Sequence, residues 1–149
     1  MKYRYLGSSG LLVCPTLLWQ LSHVWRQLWR RRSLQLRDEA YDSGVNFFDS
    51  AEVYAMSKLE EIMGQASRRP RADDQDLSWV SGYKPAAGPN GQGLSRKHII
   101  ESKKASLKRF DLDYIDMIYC HRREASTPIE KTVRAMNFVV EQGWAFCAL

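Results

Sequence analysis

Residues 45 to 54 read Val45-Asn-Phe-Phe-Asp-Ser-Ala-Glu-Val-Tyr54, a mostly apolar run of strand length that ends on an aspartate, Asp49, with a tyrosine, Tyr54, just beyond it. A carboxylate and a phenol are both groups that give or take a proton. The run is entered through Gly44 and followed by a helix start at Ser57, which fits a buried parallel strand better than a surface hairpin. Polar groups just past the carboxyl end of such a strand sit where parallel α/β folds place their chemistry. A plainer alternative gives Asp49 the capping of the next turn and Tyr54 ordinary packing, because aspartate favours turns for purely local reasons.

The elements that must position these groups alternate between strand and helix. Strands are expected at about 45–49, 77–82 and 114–120, with a further one beginning at Trp144-Ala-Phe146, and helices at about 57–66, 94–110 and 127–142. Ser57-Lys-Leu-Glu60 and Thr127-Pro-Ile-Glu130 both have the capping-box pattern, in which a hydroxyl accepts from an orphan backbone N–H and the glutamate answers from the third position. Pro128 at the first helical position and Gly143 just past the last turn bracket the latter helix, and Ile129, Val133, Met136 and Val140 are expected to line its packing face. In the 94–110 helix, Ile99, Ile100, Leu107 and Phe110 are apolar. Arg96, Lys97, Lys103, Lys104 and Lys108 read as a solvated face, with a phosphate or partner patch as the alternative.

Composition bounds the class. The chain is 44% hydrophobic and 26% charged, and it holds no apolar run near the roughly 18 residues that a membrane span requires. No signal-peptide pattern opens it, so the expectation is a soluble cytoplasmic domain. Cys14, Cys120 and Cys147 have no metal-ligand spacing and read as reduced thiols. A formal charge of +5 is weak evidence for nucleic acid, and none is expected as a partner.

The wording around the first run resembles a known family. Ser43-Gly-Val-Asn-Phe-Phe-Asp-Ser-Ala-Glu-Val-Tyr-Ala55 is similar to the second strand of the aldo-keto reductases, closest to their potassium-channel beta-subunit branch. Lys2-Tyr-Arg-Tyr-Leu-Gly-Ser-Ser-Gly-Leu-Leu-Val13, Leu94-Ser-Arg-Lys-His-Ile-Ile-Glu101, Leu112-Asp-Tyr-Ile-Asp-Met-Ile-Tyr-Cys-His121, Thr127-Pro-Ile-Glu130 and Val133-Arg-Ala-Met136 agree with it in order. The resemblance implies a parallel (β/α) barrel of the TIM type and hydride transfer between NADPH and a small carbonyl substrate. Tyr54 matches the tyrosine that protonates the developing alkoxide, Asp49 the aspartate beside it, and His121 the histidine that orients the carbonyl. Asp49 and His121 would also touch the nicotinamide end of the cofactor. Because successive right-handed βα units share a rim, Asp49, Tyr54 and His121 are expected at the carboxyl-terminal end of the strands.

Two departures qualify that expectation. A phenol with a free pKa of about 10 needs help to act near neutrality, and the family supplies a lysine at the end of its third strand. Here that position falls on Ser81 or Gly82, and Lys84 comes later, in a direction that alternation along a strand leaves open. Segments 14–37 and 67–87 do not match the family. The first holds three tryptophans and five arginines, which suits an amphipathic helix from about Leu17 to Arg32 or a reading-frame or splice change. Such barrels take roughly 250 residues and eight units, whereas this chain has 149 residues. The sequence therefore reads as a single partial domain over 1–149, the amino-terminal half of a barrel with four to five units. It is expected to be inactive by itself, with a non-catalytic module that docks on a full-length homologue or channel-like partner as the alternative.

Overall fold

The computed structural model describes residues 2–15, 18–19, 30–49, 58–67, 93–120 and 124–148. Six strands, β1 (Arg4–Tyr5), β2 (Leu12–Val13), β3 (Leu18–Trp19), β4 (Phe48–Asp49), β5 (Ile115–Ile118) and β6 (Ala145–Ala148), and four helices, α1 (Arg30–Asp42), α2 (Lys58–Ser67), α3 (Arg96–Phe110) and α4 (Ile129–Glu141), are among them. The expected strand at 77–82 lies outside the described residues.

Among the described residues the strands form three two-stranded sheets, and two of them are parallel pairs. β3 pairs with β4 in the register Leu18 to Phe48 and Trp19 to Asp49, and β5 pairs with β6 with Ile115 opposite Ala145 and Met117 opposite Cys147. All four residues of β5 are buried, as expected for a parallel strand covered on both faces. The Leu18–Trp19 strand corrects the start of the amphipathic helix read from Leu17, because the chain is extended there; residues 20–29 of that expected helix lie outside the described residues. Backbone pairing with β4 sets the conformation at Leu18–Trp19, because a strand partner satisfies the backbone groups there.

β1 and β2 form an antiparallel hairpin with Arg4 opposite Val13 and Tyr5 opposite Leu12. The Asn46 side chain accepts from the Cys14 N–H at 2.9 Å and donates to the Leu12 carbonyl at 2.9 Å, and the Tyr3 hydroxyl donates to the Gly44 carbonyl at 2.9 Å. Since residues 44–46 precede β4, the hairpin is fastened to the amino-terminal end of the strands and leaves the other end to the loops.

Three helices return to the sheet through the same device. Gly44 (φ 90°), Asp111 (φ 58°) and Gly143 (φ 70°) adopt the left-handed conformation just past α1, α3 and α4. After α4 the Gly143 N–H donates to the Val140 carbonyl and the Trp144 N–H to the Val139 carbonyl, and after α1 Gly44 and Val45 donate in the same way to Tyr41 and Ala40. This double bond is the Schellman arrangement, which satisfies the orphan carbonyls and turns the chain sharply into the next strand.

Two helix faces differ from the sequence reading. In α4 the buried residues are Thr132, Ala135, Met136 and Val139, while Ile129 and Val133 are exposed. The buried stripe therefore runs through Thr132, Ala135, Met136 and Val139. In α3 Lys103 is fully buried along with Ile99, Ser106, Leu107 and Phe110, so it leaves the solvated face assigned to it. The capping box at Thr127 also does not form: Pro128 occupies the cap without a side-chain bond, and the Thr127 hydroxyl donates to Glu124 at 3.0 Å. Glu60, the other proposed box residue, points into the α2–α3 contact instead.

Candidate active site

Each candidate group is placed by the strand that precedes it. Asp49 is the last residue of β4 and stands in register with Trp19, the last residue of β3, so the first two parallel strands end together. Phe48 immediately before it is fully buried, which anchors the strand end in the core. β5 ends at Ile118, and the chain runs on through half-buried Tyr119 and Cys120 toward His121. Burial raises the Cys120 thiol above its ordinary range, which keeps it protonated and unreactive near neutrality. Tyr54 and His121 lie outside the described residues, as do Ser81, Gly82 and Lys84.

The described part of the loop after β5 is held by a residue that sequence reasoning passed over. The Glu124 carboxylate accepts from the Leu94 N–H at 2.5 Å and from the Thr127 hydroxyl at 3.0 Å. These bonds, with that from Ser126, hold its carboxyl below the usual range, the Leu94 N–H having the largest effect. At the same junction Ser95 caps α3 by accepting from the His98 N–H at 3.2 Å, and the Thr132 hydroxyl donates to the Leu94 carbonyl at 3.3 Å. Burial lowers the basicity of His98, against the pull of Glu101 and Glu124, so its imidazole is a neutral structural group. The signal was legible in principle: Glu124, Ser126 and Thr127 form a polar cluster one short loop past a buried strand. The start of α3 and the loop before α4 are thereby tied into one rim. Among the described residues no three His, Cys, Asp or Glu side chains stand together as a metal site.

Comparison with known proteins agrees with this architecture. The model of the aldo/keto reductase family matches residues 18–145, a range that includes β3 and β4 as well as everything from α3 to the start of β6. A probable voltage-gated potassium channel subunit beta from Arabidopsis thaliana is 51% identical over 148 residues, covering 98% of this chain and 45% of that protein. A protein of the same description from Oryza sativa subsp. japonica is 47% identical over 159 residues, with the same two coverages. Among solved structures, an aldo-keto reductase from Bacillus halodurans in its holo form superposes with a TM-score of 0.85 at 27% identity, covering 99% of this chain and 49% of that one. The chain spans about half the length of the relatives it matches.

Proposed function

Because the chain belongs to the aldo/keto reductase family, we propose that it carries the amino-terminal half of an NADPH-dependent carbonyl reductase site and that these 149 residues alone do not turn over. The observation that carries this reading is the parallel pair β3–β4 ending together on Trp19 and Asp49, within a chain that superposes on half of a reductase barrel. In this reading Tyr54 donates the proton to the nascent alkoxide, Asp49 supports the phenol and His121 orients the carbonyl. NADPH, when bound, supplies the hydride. The donor set fits the nicotinamide end, since a carboxylate and an imidazole offer the acceptor and donor that a carboxamide needs. The lysine that would make Tyr54 acidic is replaced by Ser81 or Gly82, so proton transfer loses the partner that matches its pKa to neutral pH. The substrate class is a small carbonyl compound and the compartment cytoplasmic; among the described residues no helix is long and apolar enough to cross a membrane.

The names of the plant relatives favour a second reading, a non-catalytic module that docks on a homologue or a channel-like partner. A single experiment separates the two. The chain is titrated with NADPH while nicotinamide fluorescence is followed, and 4-nitrobenzaldehyde is then added. Weak or unsaturable binding without turnover is expected. Saturable binding with turnover that Tyr54→Phe abolishes would show a working enzyme and overturn the proposed inactivity.

A further inference from the structure

The contact between α2 and α3 contains a buried charge that no role in carbonyl reduction explains. Glu60, in the first turn of α2, is fully buried, and its two carboxylate oxygens are already engaged: Oε1 accepts from the Ser106 hydroxyl at 2.6 Å and Oε2 from the Arg109 Nε at 2.5 Å. Lys103, one turn before Ser106 and Leu107 on the same face of α3, is also fully buried, and its Nζ has no hydrogen-bond partner. A buried cation is tolerated when it is paired, but the Glu60 carboxylate is taken by Ser106 and Arg109. Gly64 brings the two helices close enough that a Cβ there would collide with the Phe110 carbonyl, so the interface has little room for solvent at its far end.

We infer that the α2–α3 interface is a proton-operated latch, closed when Lys103 carries a neutral amine and loosened when Nζ takes up one proton from solvent. Burial pushes the Lys103 ammonium down from 10.5 to about 7; Glu60 of α2 pulls it back up and Arg109 of its own helix pushes it further down. Among the described residues no other ionisable group acts on it. The folded-state value lies below the unfolded one, so between about pH 7 and 10.5 the unfolded chain holds a proton that the folded chain lacks. Closing therefore releases a proton, and the closed form gains about tenfold in its equilibrium constant for each pH unit gained above 7. Below about 7 both forms are protonated and the latch is at its weakest.

Amide hydrogen exchange of the full chain, corrected for intrinsic rates, tests it between pH 7 and 9. Protection of residues 58–67 should fall by about tenfold per unit as pH drops, with α4 changing less, and Lys103→Met should keep the high protection throughout. Equal changes in α2 and α4, or the same pH slope in Lys103→Met, would overturn the latch. A carbon-13 titration of the Lys103 side chain provides the second readout: a midpoint near the ordinary value for lysine in the folded chain overturns the proposal whatever the variant does.

Discussion

The helix α3 packs against a neighbour on each side and does so by opposite means. Toward α2 it presents Lys103, Ser106 and Arg109 to a buried glutamate, so the contact is a largely buried polar network. Toward α4 and the start of β6 it presents a surface ladder: Arg96 lies 4.5 Å over the Phe138 ring, Phe138 meets Trp144 edge-on at 5.9 Å, and Lys104 lies 4.9 Å over Trp144. Both sides use basic residues of the same helix. They differ in what surrounds the charge. On the α4 side each cation keeps one face in water and gains a ring quadrupole, whereas on the α2 side desolvation makes every charge depend on a specific partner.

Breaking the buried side should therefore cost most. Glu60→Leu removes the carboxylate of the network and leaves the Arg109 guanidinium uncompensated, with an expected loss of about 3–5 kcal/mol in urea unfolding. Gly64→Ala attacks the same interface through shape rather than charge. Its new methyl meets the backbone of Phe110, which no side-chain rotation can relieve, so a loss of about 1–3 kcal/mol is expected, with the thermal midpoint as the check. Lys104→Gln tests the exposed side, where the expected loss is only about 0.5–1 kcal/mol, best read as a difference from the wild-type urea midpoint. A larger loss from Lys104→Gln than from Glu60→Leu would reverse the comparison between the two faces.

Much of the fold was legible from residue types. Gly143 and Pro128 set the ends of α4 to within two residues, because helix starts and left-handed turns are satisfied locally, within a few residues of chain. The strands around 45–49 and 114–120 were readable because an apolar run bounded by turn residues has few other fates. Of the site, Asp49 stands at a strand end as its spacing implied, while the positions of Tyr54 and His121 lie outside the described residues.

The sequence alone determined the family, the alternation of strand and helix and the identity of the groups able to move protons, since these rest on residue types and short spacings along the chain. Only the tertiary structure decided which side of each helix is buried and which partner each charge finds. Ile129 is exposed while Thr132 is buried, Glu60 binds Arg109 and Ser106 across helices instead of capping its own, and Glu124 binds the Leu94 N–H far away in sequence. The reason is physical. Periodicity specifies that a helix has an inner face but only within a turn or so, and the close approach allowed by Gly64 selects among the candidates. A carboxylate goes to whichever donors the packed elements bring within reach, and residue spacing along the chain does not contain that information.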